Sequence, residues 1–379
     1  MPHLYVHVPF CRRRCVYCDF SIAVRPRVPA ERFVAAIRRE ADLRRGEQFW
    51  AAHPLRTLYL GGGTPSLLPS SSVATLVQLV RTLARDDDPA TVEVTLEANP
   101  EDVTPASAGA WAAAGVNRVS LGVQSFDGRV LQWMHRSHDA EAAPRAVRTL
   151  RRAGIDAISL DLIFGLPETV QRDFRIDLER AVDLGPDHLS VYGLTVEPRT
   201  ALGHWTARGT VMAAPDTQHE TEFLLAHEVL GAAGFEHYEV SNFARSGHRS
   251  HHNAAYWNGS SYLGLGPSAH SFRDGVRSWN VAPWAAYATC LENGDDPEDG
   301  RERLTPVQQR LERAYLGLRT TDGVDTADVP GWRSAAGDAA VEAGWLVVDR
   351  SLGRIRTTPV GWLRLDSLVE ALTTEPQGG

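Results

Sequence analysis

From Leu4 to Leu194 the sequence repeats one unit: a short β-rich run, a turn, then an amphipathic helical stretch. The strand runs read at Leu4–Val8, Thr57–Leu60, Thr91–Leu96, Arg118–Val123, Ala157–Ile163 and Leu189–Leu194. Helical periodicity reads at Ala30–Arg45, Ser71–Ala84, Thr104–Ala114, Ala140–Ala153 and Phe174–Leu184. Thr104 suits an N-cap, Pro105 the first helical position and Gly115 a stop. Strands alternating with helices of this length predict βαβ units and a parallel sheet. Six such units predict the α/β class and a partial (β/α)6 barrel.

In such folds the reactive groups collect at the carboxyl ends of the strands. Gly61–Thr64, Glu97, Gln124, Asp161 and Gly193 fall at those ends. Each alone reads as a turn glycine or a cap; together, in register, they read as a site. Past residue 235 the rhythm changes. Phe235–Val240 reads as one more strand, and 245–283 is rich in Gly, Ser, His and aromatics without a clean period. The acidic stretch Leu291–Arg301 reads as a linker. Thr305–Leu318 reads as a helix, Gly344–Val348 and Arg354–Thr357 as two short strands, and Trp362–Leu372 as a last helix, an order that resembles a small winged-helix-like α+β domain. The expected organisation is a barrel over 1–240, a connecting segment over 241–300, a C-terminal domain over 301–372 and a disordered tail over 373–379.

A chain of 379 residues buries a full core without staples, so its four cysteines are no disulfide framework. Three of them form Cys11-x3-Cys15-x2-Cys18 on the loop after the first strand. Structural zinc wants four protein donors. Position 20 is Phe20, and Cys290 is far along the chain, where a small apolar residue is the plainer reading. An iron–sulfur cluster normally takes four thiolates, so three leave one iron open to another ligand. The net charge is -8, and all 39 basic residues are arginine. That balance gives no basic footprint for nucleic acid. No apolar run approaches the roughly 18 residues of a membrane helix. His3–Phe10 alternates like a strand and not like a signal peptide, so a cytoplasmic location is expected.

Cys11-x3-Cys15-x2-Cys18 on the first loop of a βα barrel is similar to the radical S-adenosylmethionine superfamily. That resemblance implies a [4Fe–4S] cluster whose open iron is chelated by S-adenosylmethionine, with one electron splitting the sulfonium bond to give a 5′-deoxyadenosyl radical. Further stretches narrow it: Tyr5-x-His7-x-Pro9-Phe10-Cys11, Tyr59–Pro65, Glu97–Pro100, Gly122–Phe126 and Asp161–Pro167 resemble the branch related to oxygen-independent coproporphyrinogen III oxidase. It implies that Tyr5, Gly62, Gly63, Thr64, Glu97, Gln124, Arg136 and Asp161 contact S-adenosylmethionine, with Gly193 added by its strand-end position. The chemistry agrees: glycine admits a close backbone approach. Glu97 and Asp161 accept from ammonium or ribose hydroxyls, and Arg136 can fork onto a carboxylate.

Two departures from the oxidase stand out. Its fourth cysteine, two residues after the third, is replaced by Phe20, and the first strand begins almost at residue 1. His252-Asn253-Ala254-Ala255-Tyr256-Trp257 matches the H-N-x-x-Y-W signature of the heme chaperone group of this branch. The resemblance implies heme as cargo, transfer to acceptor hemoproteins, and no oxidase activity; the alternative is conversion of coproporphyrinogen III to protoporphyrinogen IX. A histidine can ligate iron and aromatics can pack on a porphyrin, so His252 is the candidate heme residue, with His248, His251, Tyr262 and His270 nearby. From the residues alone, HHNAAYWN reads as a capping turn plus core aromatics. Arg12–Arg14 read as a solvated loop, or as contacts to an acidic electron donor such as flavodoxin or ferredoxin. Membrane contact is expected only through acceptors, and the oligomeric state stays open. Trp279 and Trp284 read as core.

Overall fold

Six parallel strands follow one another across the middle of the sheet: β1 (His3–Val8), β2 (Thr57–Gly62), β3 (Glu93–Ala98), β4 (Arg118–Gln124), β5 (Ala157–Phe164) and β6 (His188–Gly193). The computed structural model describes residues 2–45, 47–85, 91–170 and 172–374. Between the strands run α1 (Ala30–Arg44), α2 (Ser70–Arg81), α3 (Pro105–Ala113), α4 (Ala142–Arg152) and α5 (Phe174–Asp183). The element bounds lie within three residues of those read from the sequence. At α3 the Thr104 side chain accepts from the Ser107 amide at 3.1 Å while Ser107 Oγ accepts from the Thr104 amide at 2.9 Å. This reciprocal pair satisfies two donors that a helix start leaves open.

The strands alternate chemically. Leu4, Val6 and Val8, Leu58 and Leu60, Val94 and Leu96, Val119 and Leu121, Leu160 and Leu162 are buried in one core with the helices. The intervening positions are polar, and they bond to one another across the strands: His3 to Thr57, Tyr59 to Glu97, Ser120 to Asp161, Ser159 to His188. Period-two alternation assigns these two sets to opposite faces. One face takes the helices, and the other encloses a polar interior.

Both edges of the six-stranded core are extended. β7 (Glu236–Glu239), the strand expected over Phe235–Val240, and a further short strand, β8 (Asn242–Ala244), form an antiparallel pair beside β6. A long helix, α6 (Asp216–Ala232), precedes them; the sequence reading missed it, because its buried Phe223, Ala226 and Leu230 sit among acidic and histidine residues. At the other edge, 245–283 is no plain connector. It holds α7 (His251–Trp257), then β9 (Tyr262–Leu265), which pairs parallel with β1, then β10 (His270–Arg273) and β11 (Val276–Asn280). The stretch read as a linker contains the end of α8 (Trp284–Glu292) and an edge strand, β12 (Glu298–Arg303), paired with β11. Four of its six residues are exposed, and the Arg301–Glu298 and Arg277–Glu302 pairs line the edge at 2.6 and 3.0 Å. Charge on an edge strand blocks further pairing, and the same charge disguises the strand as a linker.

The C-terminal part has its own core of Leu318, Val324, Val329, Ile355 and Leu372. It comprises α9 (Pro306–Leu318), β13 (Val324–Asp325), α10 (Ala335–Glu342), β14 (Leu346–Asp349), β15 (Arg354–Thr357) and α11 (Leu365–Thr373). Helix α10 was not anticipated, and the last helix is interrupted by a turn after Trp362. Trp362 donates to the Leu318 carbonyl at 3.0 Å while packing in the main core, and Arg319 pairs with the fully buried Glu239 at 2.7 Å. These contacts fasten the C-terminal part to the β7–β8 hairpin. The tail expected over 373–379 lies, from Glu375 on, outside the described residues. Among the described residues no helix is long and apolar enough to cross a membrane.

Candidate cofactor site

At the carboxyl ends of β1–β6 lies a cavity of about 500 Å³. Cys11, Cys15, Cys18, Gly62, Gly63, Thr64, Glu97, Gln124, Arg136, Asp161 and Gly193 all line it. The fold therefore collects these sequence candidates on one wall system. Tyr5 and His252 are the two it leaves out.

The cysteine loop is tied down at both ends. Phe10–Cys11 pairs in parallel with Ala23–Val24. The His7 ring bonds the Ser21 carbonyl through Nε2 at 2.9 Å and the Tyr5 hydroxyl through Nδ1 at 3.0 Å. Tyr5 thus acts on the loop through His7. Cys11 Sγ accepts from Thr64 Oγ1 at 3.4 Å, and Cys15 Sγ from Arg136 Nη1 at 3.7 Å. Burial pushes the Cys11 thiol up and raises Cys18 to about 11. A positively charged iron reverses that preference, since a coordinating thiol gives up its proton. All four cysteines are free. Among the described residues no trio of His, Cys, Asp or Glu is already closed on one metal position. Even so, three free thiols on one cavity wall, with hydrogen-bond donors aimed at two of the sulfurs, fit a cluster held by three protein thiolates.

The glycine strip after β2 has no room for side chains. Gly62 has φ +109°, and a Cβ on it would lie 2.5 Å from His7 Cε1; one on Gly63 would lie 2.8 Å from the Phe10 carbonyl oxygen. The Gly62 amide donates to Glu97 Oε2 at 2.9 Å and the Gly63 amide to the Val8 carbonyl at 2.8 Å. Glu97 accepts from Tyr59 through its other oxygen at 2.8 Å. Its carboxylate is committed to shaping this strip, and burial raises its pKa. Asp161 accepts from Ser120 at 2.9 Å; burial, then the neighbouring Glu97, lifts it to about 7. Arg136 donates through Nη2 to Asn99 Oδ1 at 2.6 Å and to the Gly122 carbonyl at 2.7 Å, while its buried Nε has no partner. Gln124 ends β4 at a register shift with φ +67°, the kind of irregularity that re-aims a side chain. Gly193 admits Phe164, whose Cζ would lie 3.2 Å from a Cβ there.

His252 lies at the other end of the sheet. Ser250 caps α7 by accepting from the Asn253 amide, and Glu93 at the start of β3 accepts from the His251 and His252 amides at 3.1 and 2.9 Å. The His252 ring meets Thr57 Oγ1 through Nδ1 at 2.7 Å and Tyr256 OH through Nε2 at 3.0 Å. Thr57 continues to His3 at 2.9 Å, and the ring stacks on Tyr59 with centroids 4.9 Å apart. Only 1% of His252 is exposed, and burial holds its pKa down at about 3. Trp257, the last motif residue, lies under the Arg319 guanidinium at 3.8 Å. Both ring nitrogens of His252, the residue expected to face heme, are thus hydrogen-bonded within the protein beneath the polar interior. The capping-turn reading of HHNAAYWN describes this segment. Trp284 is core, as expected, whereas Trp279 is only partly buried and Cys290 is half-buried with its thiol toward the Asp296 carbonyl at 3.3 Å.

Asn99, Ser120 and Tyr59 position Arg136, Asp161 and Glu97, and sequence reasoning did not single them out. The signal was present: each sits at the polar parity of its strand or directly past its end. Among the arginines between the cysteines, Arg12 pairs with Asp102 at 2.9 Å and Arg14 bonds the Cys18 carbonyl at 3.2 Å, while Arg13 is exposed on the cavity rim.

Residues 5–181 match the Radical SAM superfamily. Similar proteins include the heme chaperone HemW of Mycobacterium tuberculosis (strain H37Rv), 36% identical over 97% of this chain and 94% of the relative. The heme chaperone HemW of Escherichia coli (strain K12) is 38% identical over 83% and 86%, and that of Synechocystis is 37% identical over 86% and 80%. Among solved structures, coproporphyrinogen III oxidase (HemN) from Escherichia coli, a radical SAM enzyme, superposes with a TM-score of 0.81 at 23% identity, over 98% of this chain and 90% of that one. That likeness establishes the shared fold.

Proposed function

Because the chain belongs to the heme chaperone HemW family of radical SAM proteins, we propose that it binds heme and passes it to acceptor hemoproteins. Radical SAM membership implies a [4Fe–4S] cluster and S-adenosylmethionine. The observation that carries the site assignment is the convergence of three free thiols, the glycine strip, Arg136 and Asp161 on one cavity. Cys11, Cys15 and Cys18 would hold the cluster. When bound, the cluster and S-adenosylmethionine together supply one-electron chemistry at a sulfonium.

The protein's own groups do the positioning. Thr64 and Arg136 donate toward the sulfurs of Cys11 and Cys15 and so favour thiolate charge there. Asn99 and the Gly122 carbonyl fix the Arg136 guanidinium. Its unpartnered Nε is a donor kept for an anion such as a methionyl carboxylate. The amides of Gly62 and Gly63 are already used, which costs an ammonium nothing because it seeks acceptors. Asp161, held by Ser120 and Ser190, lines the cavity where its carboxyl can accept from a ribose hydroxyl. Residues 11–28 carry five arginines against one aspartate in a chain of net charge -8. This local basic rim, with Arg13 exposed, suits an acidic electron donor such as flavodoxin or ferredoxin. Heme delivery in the cytoplasm, to acceptors that include membrane-bound ones, completes the proposal.

The test has two arms. Hemin titrated into the anaerobically reconstituted protein should give a saturable Soret change. Coproporphyrinogen III with S-adenosylmethionine and reductant should yield no protoporphyrinogen; that product would replace the carrier reading with the oxidase one.

A further inference from the structure

Among the residues lining the cavity His135 is the one imidazole, and the cofactor assignment above does not use it. It follows the short helix Gly128–Trp133. The His135 amide donates to the Gln132 carbonyl at 3.1 Å and the Arg136 amide to the Leu131 carbonyl at 2.9 Å. That pair of bonds closes a helix through a left-handed residue, a place usually given to glycine. His135 occupies it with φ +60°. A side chain is thus carried, against a conformational cost, at the wall of the functional cavity.

The ring is exposed and has no hydrogen-bond or ion-pair partner among the described residues. It stands edge-on to Trp205 with centroids 6.4 Å apart, and Trp205 is tilted by 55° to Trp133 with centroids 6.4 Å apart. At the same mouth Phe20 is 62% and Tyr192 42% exposed. Open imidazole nitrogens beside flat aromatic surface are the two features that hold a heme: a nitrogen for the iron and rings for the porphyrin face. His252 offers neither nitrogen.

We propose that His135 is the protein ligand to the iron of a heme carried at the mouth of this cavity; the inference rests on the heme-carrier reading. A ring nitrogen donates its lone pair to the iron, a bound water leaves, and no oxidation state changes. The test uses the full chain, reconstituted anaerobically and titrated with hemin, as wild type and as His135→Gly. Glycine suits the left-handed position, so the variant should melt no lower than the wild type. Hemin binding should weaken at least tenfold, with loss of the histidine-ligated spectrum, and millimolar imidazole should restore that spectrum. An unchanged titration in His135→Gly overturns the proposal and leaves the carrier reading standing. A loss that imidazole does not reverse also overturns it, because pocket damage and not a missing ligand would then be the cause. No saturable change in the wild type overturns both readings.

Discussion

Replacing His252 by alanine tests whether the H-N-x-x-Y-W segment is a structural plug. The substitution removes two ring hydrogen bonds, to Thr57 and Tyr256. Each contributes about 1 kcal/mol net. Thr57 keeps His3 as a partner, but the Tyr256 hydroxyl loses its one side-chain bond given above, a penalty of about 1–3 kcal/mol. The ring also leaves a void between Tyr59 and Tyr256, against which it packs at 4.9 and 5.2 Å. Large-to-small changes in such places cost roughly 2–5 kcal/mol, and these terms overlap, so about 3–5 kcal/mol is expected in all. At about 1–2 °C per kcal/mol for a chain of 379 residues, the melting temperature should fall by roughly 3–10 °C. Differential scanning calorimetry on the cofactor-free protein reads this directly. A hemin titration well below the variant's melting point should keep the wild-type Soret change. An unchanged melt combined with lost hemin binding would refute the reasoning, since His252 would then act as a ligand and not as a plug.

Three further outcomes follow from the cavity. Cys15→Ala should abolish the broad iron–sulfur absorbance after anaerobic reconstitution, and a colourless wild type would remove the cluster assignment altogether. Gly62→Ala places a Cβ 2.5 Å from His7 at φ +109°. It should cost about 1–3 kcal/mol in urea unfolding and weaken S-adenosylmethionine binding by isothermal calorimetry; wild-type values for both would show that the strip tolerates a side chain. Asp161 has its pKa raised by burial from 3.8 to about 7, so the folded state holds the proton more tightly than the unfolded chain. Its favourable contribution is complete below about pH 4 and is lost as pH rises through 7. The cavity is open to water, so the effect is a few kcal/mol at most. Asp161→Asn should flatten the melting temperature of the cofactor-free protein between pH 4 and 8, and an unaltered pH profile would contradict this placement.

How far the site could be read from the sequence depended on where each residue sits relative to a strand. Gly62, Glu97, Gln124 and Gly193 end their strands or stand one residue before the end, and Asp161 lies in the second half of β5; a parallel sheet sends every strand end to the same rim, so naming the strands already gathers most of the site. His252 escapes that logic. Its helix follows the antiparallel β7–β8 pair and lies at the opposite rim, against Glu93 and Thr57, and no local pattern announces a contact between residues 195 positions apart. The edge strands failed for a different reason: β12 is built from Glu, Asp and Arg because it must repel further strands, and its composition is then that of a linker. Asn99 and Ser120 were legible in principle. The run His-Tyr-His, Thr-Tyr-Gly, Glu-Thr-Glu, Arg-Ser-Gly, Ala-Ser-Asp, His-Ser-Tyr at alternate positions of β1–β6 spells out a polar face. A sheet with helices on its aliphatic side retains such a face by pairing its members, as Ser120 pairs with Asp161 and Tyr59 with Glu97.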